Sequence, residues 1–372
     1  MSSSLLFSPI SLGPLKLANR IMISPMCQYS GHDGNANAWH MAHLGSLALS
    51  GAALLTVEAT AVSPEGRITP GCLGLYSDEN EQSLRHVVEM LCCASHTKLM
   101  LQLAHAGRKA SSARPWEGGA LLSKAAGGWD TIAPSALPHK PDEATPGAMS
   151  RADIERVTAD FAHAARRARR LGFDAIELHA AHGYLLHEFL SPIANQRDDE
   201  YGGSLDNRMR ILLQIFEAMR SELGAGIALG VRVTGSDWVD GGWTIEDCVT
   251  LCQRLETAGA DFVDVSSGGV SPLQKISIGP GYQAHFAARV KQAVKMPVIT
   301  VGMITEPQQA EDILQSGQAD MVAMARAFIS DPRWPWHAAA ALGGKIEGPP
   351  QYYRCLPSSM PKIFGDITTN QR

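Results

Sequence analysis

The stretch IELHAAHGY holds two imidazoles and a phenol close together, at His179, His182 and Tyr184. Imidazoles can donate N–H bonds to a carbonyl oxygen or an oxyanion, and a phenol can supply a proton. The residues between them, Ala180, Ala181 and Gly183, are small enough for a planar ligand to lie close. Two other uses are open to the pair, metal binding and plain packing. A lone histidine on an apolar strand is usually a satisfied core residue. Two of them, three residues apart across the end of a strand, favour a functional use. A catalytic zinc site needs about three protein ligands and an open position. The candidate companions are Glu58 and Asp237, with no HxH on the first strand. No metal is expected.

Other polar residues stand at the ends of short apolar runs. In SPMCQYS, Pro25 sets a turn and Cys27 follows it, either as an inert thiol or as one that tunes or reacts with a cofactor. Glu58 ends one run alone. Gln102 ends another and could place an amide in a barrel, with His105, Arg108 and Lys109 just beyond it as candidates for pairing with acids. Arg232, in GVRV, needs an anionic partner to offset its desolvation, either a structural acid such as Asp237 or an electron-rich ligand. VSSGG, TVGMI and AMARAF end the last three runs. Small residues in the last two leave backbone N–H groups open to an anion, and Arg326 adds a cation, so a phosphorylated cofactor is expected near the last three runs.

The elements that must position these groups follow from periodicity. Eight runs rich in Val, Ile and Leu lie at 21–24, 53–58, 98–103, 175–179, 227–233, 262–266, 298–301 and 321–324. Helical patterns fall between them at about 40–50, 80–95, 150–171, 206–222, 244–258, 283–294 and 306–316, with a last one at about 333–341. Continuous apolar strands alternating with helices imply a parallel sheet buried on both faces, and eight such units fit a (β/α)8 TIM barrel. A doubly wound sheet is the alternative, but no GxGxxG follows the first run. Ser150 with Asp153 and Thr244 with Asp247 read as helix starts, and Gly172 as a helix end. The stretch 104–149, rich in Gly, Pro, Ser and Ala, reads as a long loop excursion after the third strand.

Bulk properties narrow the class. Net charge is −5 and no basic stripe is present, so nucleic acid is not an expected partner. The densest basic run, Arg166, Arg167, Arg169 and Arg170, reads as a solvated helix face. Seven cysteines without CxxC spacing point to a reducing compartment, and the cytoplasm is expected. The N-terminal residues lack the charged start of a signal peptide. The longest apolar region, 44–62, is broken by Gly51 and Glu58, so no membrane span is expected.

At these residues the sequence resembles the Old Yellow Enzyme family of flavin-dependent ene-reductases, and within it the bacterial branch called thermophilic-like. NRIMISPMCQYS, VEATAVSPEGRIT, LQLAHAGRKA, IELHAAHGYLLHEFLSPIANQRDDEYGGSLDNR, VSSGG, PGYQ and VGMI carry the resemblance, which spans about residues 5 to 355. It implies an FMN-binding TIM barrel domain over residues 1–355 and a C-terminal tail over 356–372. FMN would be held non-covalently and reduced by NADPH or NADH. Pro25, Met26 and Cys27 would line the flavin, with Cys27 modulating its potential. Ala59 and Gln102 would contact the ring, and Arg232 would face its N1/O2 edge. Ser267, Gly268, Gly302, Ala325 and Arg326 would hold the phosphate. His179 and His182 would bind the oxygen of an activated alkene, Tyr184 would be the proton donor and Tyr29 would touch the substrate. PPQYYRCL makes Arg354 the arginine that reaches a neighbouring subunit's site, so a homodimer or homotetramer is expected. Ala325 stands where the family pattern usually has glycine.

Overall fold

The computed structural model describes residues 4–356 and 362–366. The chain opens with a hairpin, β1 (Ile10–Leu12) and β2 (Leu15–Leu17), and then enters the barrel at β3 (Ile21–Ile23). There follow α1 (Ala38–Ala48), β4 (Leu54–Ala61), α2 (Asp78–Ala94) and β5 (Lys98–Ala104). The excursion after β5 contains only a two-residue pair, β6 (Ile132–Ala133) and β7 (Gly147–Ala148), and three single turns of 3-10 helix. Next come α3 (Arg151–Leu171), β8 (Ala175–Ala180), the short α4 (Leu185–Leu190), α5 (Leu205–Leu223) and β9 (Ala228–Thr234). The remaining elements are α6 (Ile245–Thr257), β10 (Phe262–Ser266), α7 (Ala284–Lys291), β11 (Val298–Val301), α8 (Pro307–Gln315), β12 (Met321–Met324), α9 (Arg326–Ser330) and α10 (Trp334–Leu342).

The eight long-range strands close in the order β3-β4-β5-β8-β9-β10-β11-β12, every pair parallel. The eight expected runs and the helices between them are all present, so the (β/α)8 barrel is the fold. The hairpin, α4, α9 and the β6–β7 pair were not expected. ISLGPLKL does carry a turn signature at Gly13-Pro14, and Gly13 sits at φ +53. LLHEFL carries no helical period because all six residues are buried.

Strand alternation builds the barrel interior in layers. At the N-terminal end Met22, Leu54, Met100, Ala175, Ala228, Phe262, Ile299 and Met321 pack together, and Leu12, Leu15 and Leu17 of the hairpin close that end. A Cβ on Gly230 would run into the Phe262 ring, so glycine on β9 makes room for phenylalanine on β10. Further along four of these strands the residues turn polar: Gln102, Glu177 and Asp264 two residues on, and Arg232 four residues on. The closed floor and polar upper layer place all chemistry at the C-terminal mouth.

The helices start where the polar caps specify. The Ser150 side chain accepts from the Asp153 N–H, the Asp153 carboxylate answers to the Ser150 N–H at 2.9 Å, and Gly172 closes α3 at φ +85. Thr244 and Asp247 do the same for α6. The basic face of α3 is more than solvated. Arg167 and Arg170 both reach Glu81 of α2, and Arg166 reaches Glu222 of α5, so the run ties three helices together. Within the tail, Ile363 is fully buried and its carbonyl accepts from Ile346 N at 2.8 Å. The rest of the expected tail, 357–361 and 367–372, lies outside the described residues.

Candidate active site

β8 ends with Glu177 and His179 inside the barrel, and the chain then turns sharply through His182 (φ +61) and Gly183 (φ +71). That turn folds His182 back onto His179. Their rings meet edge to face with centroids 5.1 Å apart, and Tyr184 meets His179 the same way at 5.1 Å. His179 Nδ1 accepts from Ala181 N at 3.3 Å, which leaves its proton on Nε2. That Nε2 lies 3.4 Å from His182 Nδ1, and His182 Nε2 lies 2.7 Å from the Ser266 hydroxyl of β10. Burial, reinforced by Arg232, holds both imidazoles well below their ordinary pKa, so both are neutral near pH 7. Burial also pushes the Tyr184 hydroxyl well above its ordinary value, which keeps its proton in place.

A cavity of about 610 Å³ opens beside this cluster. Arg232, Ser266, Gln283, Gly302, Ala325 and Arg326 are among its walls. Ser266 and Arg232 join it to the histidines, since Ser266 bonds His182 and Arg232 pairs in register with His179. Gly302 sits at φ +128, and a Cβ there would come within 2.8 Å of Gln283 Nε2, so only glycine leaves this wall open. Ala325 has φ −111, a conformation that does not require the glycine of the family pattern.

Arg232 has an internal partner, but it is not Asp237. Its Nε comes within 3.1 Å of Asp264 Oδ2 on the neighbouring strand, where the register sets the two side by side. The approach lacks hydrogen-bond alignment, and both groups keep unsatisfied buried atoms. Asp237 instead faces His187. A third carboxyl, Glu177, takes a 2.6 Å bond from Gln102 Nε2. Burial and the adjacent Asp264 push Glu177 up to about 8 against the pull of Arg232 and Gln102, so it is neutral near pH 7.

The other expected residues are placed as follows. Pro25, Met26, Cys27 and Tyr29 lie on the loop after β3, which is tied down by Ser24 N to Met324 O at 2.9 Å and by Gln28 N to Glu58 Oε2 at 2.9 Å. Glu58 is therefore not alone: it also lies 3.4 Å from His40 Nε2. Burial and Glu58 raise the Cys27 thiol well above its ordinary value. Ala59 is buried on β4. Gln102 has its amide nitrogen committed to Glu177. Ser267 donates to Gln283 Oε1 at 2.6 Å. Gly268 stands apart, because its N–H is committed to Ser236 O at 2.8 Å. Arg354 is exposed on a turn and bonds none of the described site residues.

Several contributors were not singled out by sequence. Ser266 and Gln283 lie inside VSSGG and PGYQ, but neither was given a role of its own. Lys109 was expected to pair with an acid. It donates instead to the carbonyls of His182 at 2.8 Å and Gly269 at 3.0 Å, with its ammonium 5.0 Å from the Tyr184 ring centre. Arg108 likewise donates to carbonyls, including Val270 O at 2.7 Å, and these bonds pin the excursion across the mouth. Among the described residues no three metal-ligating side chains converge. No helix among them is long and apolar enough to cross a membrane.

Comparison with known proteins finds relatives along most of the chain. Residues 5–343 match the model of the NADH:flavin oxidoreductase / NADH oxidase family. An NADPH dehydrogenase from Geobacillus thermodenitrificans is 43% identical over 355 residues, covering 95% of this chain and 98% of that protein. Among solved structures, morphinone reductase superposes with a TM-score of 0.76 at 27% identity, covering 95% and 93% of the two chains. A 2-naphthoyl-CoA reductase gives a TM-score of 0.81 at 26% identity, with 89% of this chain covering 51% of that longer one. The chain belongs to the NADH:flavin oxidoreductase / NADH oxidase family, the Old Yellow Enzyme grouping its motifs resemble, and is an oxidoreductase with FMN as cofactor and NAD(P)H as reductant.

Proposed function

We propose that the protein is an ene-reductase acting on alkenes conjugated to a carbonyl or nitro group. The carrying observation is the pair of neutral, buried imidazoles whose facing nitrogens lie 3.4 Å apart beside Tyr184. If the Ser266 hydroxyl donates to His182 Nε2, the His182 proton sits on Nδ1. Two N–H groups then converge on one point, where an acceptor oxygen would bridge them. Such donors stabilise the charge that develops on the oxygen as the alkene is attacked.

The residues present fit FMN. The cavity offers Arg326 toward a phosphate and an Arg232 guanidinium with unsatisfied donor capacity toward an electron-rich ring edge. Gly302 and Ala325 would lie along the phosphate, with Ser267 and Gly268 nearby. Pro25, Met26, Cys27, Ala59 and Gln102 would border the ring. Once bound and reduced by NAD(P)H, FMN supplies a hydride to the β-carbon. This chain's residues do the rest: His179 and His182 hold the substrate oxygen, Tyr29 orients the substrate and Tyr184 protonates the α-carbon. The FMN-binding unit spans 1–355, the protein works in the cytoplasm, and Arg354 completes the site of an adjacent copy in a homodimer or homotetramer.

Anaerobic half-reactions test the site. His179→Ala lowers the rate of flavin reoxidation by 2-cyclohexenone by about 10²–10³, the usual cost of one oxyanion donor. An unchanged rate of that step would remove the imidazole pair from the mechanism.

A further inference from the structure

Behind the His182–Tyr184 turn lies a fully buried group that the reaction does not touch. His187 of α4 has no exposure, and neither has Asp237 in the loop after β9. The Gly183 N–H points at His187 Nδ1 at 2.8 Å, and His187 Nε2 lies 2.7 Å from Asp237 Oδ1. Asp237 Oδ2 takes two further bonds, from Ser191 Oγ at 2.6 Å and from Trp243 N at 2.7 Å. The Thr234 hydroxyl is 3.5 Å from Nδ1. A backbone N–H can be accepted only by an unprotonated nitrogen, so the His187 proton must sit on Nε2. A carboxylate is acceptor-only and holds it there.

The anchored N–H lies in the tightest part of the turn. His182 and Gly183 are consecutive left-handed residues, and a non-glycine residue in that region is disfavoured unless its surroundings impose it. A Cβ on Gly183 would run into Gly269 O. Lys109 holds the carbonyl of His182, and His187 holds the N–H of the next residue. The direction in which His182 and Tyr184 point depends on those two bonds.

We propose that Asp237 and His187 act as a tautomer lock, a pair of positioning residues in which the carboxylate keeps the imidazole proton on Nε2 so that Nδ1 can anchor Gly183 and aim His182 and Tyr184. This deepens the ene-reductase reading and rests on it for its effect on rate. The tautomer itself is measurable without turnover.

Asp237→Asn is the informative change. The two donors Ser191 and Trp243 keep the amide oxygen on their side, so the amide nitrogen faces His187 Nε2. Donor then opposes donor, the imidazole moves its proton to Nδ1, and Nδ1–H opposes the Gly183 N–H. His187→Leu is the control. It cannot accept from Gly183 whatever residue faces it from position 237, so the anchor is already lost in that background. In the ¹⁵N spectrum of histidine-labelled holoenzyme, wild-type His187 shows a protonated Nε2 and a bare Nδ1, and Asp237→Asn inverts the pattern. Flavin reoxidation by 2-cyclohexenone slows by about ten- to a hundredfold in Asp237→Asn, the scale of a displaced catalytic group. In the His187→Leu background the same substitution changes the rate by less than about threefold, and the inverted ¹⁵N pattern of Asp237→Asn is the readout that a merely structural contact would not give. A protonated Nδ1 in wild-type His187 would overturn the proposal, even if Asp237→Asn cannot be purified. So would an equal loss from Asp237→Asn in both backgrounds. If the wild-type reduced flavin is not reoxidised by 2-cyclohexenone while the tautomer is as stated, the ene-reductase reading fails and the lock stands.

Discussion

At the residue scale, the site depends on which buried groups carry charge. Arg232, Asp264 and Glu177 share the interior of the barrel mouth, where burial raises both carboxyls and leaves Glu177 protonated near pH 7. A carboxyl raised from 4.5 in the unfolded chain to about 8 in the folded one binds its proton more tightly when folded. Its contribution to stability is therefore complete below about pH 4.5 and is lost as pH rises toward 8. Urea unfolding from pH 5 to 8 should show wild-type stability falling relative to Glu177→Gln, with a slope no steeper than about 1.4 kcal/mol per pH unit. Parallel curves would mean that Glu177 is ionised in the folded protein. The sequence made His179, His182, Tyr184 and Arg232 visible because polar residues at the ends of apolar strands are costly without a use. It offered Asp237 as the acid for Arg232 and did not single out Asp264. That choice depends on strand register, and two adjacent parallel strands can slide without changing either pattern. The direction of the Gly268 N–H was likewise not legible, because it is set by Ser236 on another loop.

At the element scale, the barrel strands and their following helices were legible because each repeats a burial pattern of its own: continuous apolar runs for strands, a period near 3.6 for helices, and polar caps between. The hairpin strands are three residues each, and α4 is buried on every side, so neither offers enough period to read. The floor of the barrel makes its own prediction. Phe262 fills the space that Gly230 leaves, so Phe262→Ala should cost about 3–5 kcal/mol in denaturant unfolding. Gly230→Ala should destabilise the wild type, but much less in the Phe262→Ala background, where the ring it strikes is gone. Equal costs in both backgrounds would show that the two positions are not complementary. Excursion 104–149 was readable as a loop by composition. Its role was not, because Arg108 and Lys109 act on backbone carbonyls, which carry no mark in a sequence.

At the scale of the whole molecule, the closed floor, the polar layer above it and the cavity between β10 and β12 leave one end of the barrel for both cofactor and substrate. Arg354 lies on an exposed turn and bonds none of the residues of its own chain's site, which suits a group that serves an adjacent copy. On that reading, light scattering finds a dimer or larger assembly, and Arg354→Ala raises the KM for 2-cyclohexenone several-fold while leaving FMN binding unchanged. A monomeric enzyme with full activity would contradict it. The most direct test of the central claim uses the purified protein without air. The yellow protein should bleach with NADPH and recover its colour when 2-cyclohexenone is added, with one equivalent of cyclohexanone formed per flavin. A protein that bleaches but regains colour only when oxygen is admitted, with the enone recovered unchanged, would contradict the account.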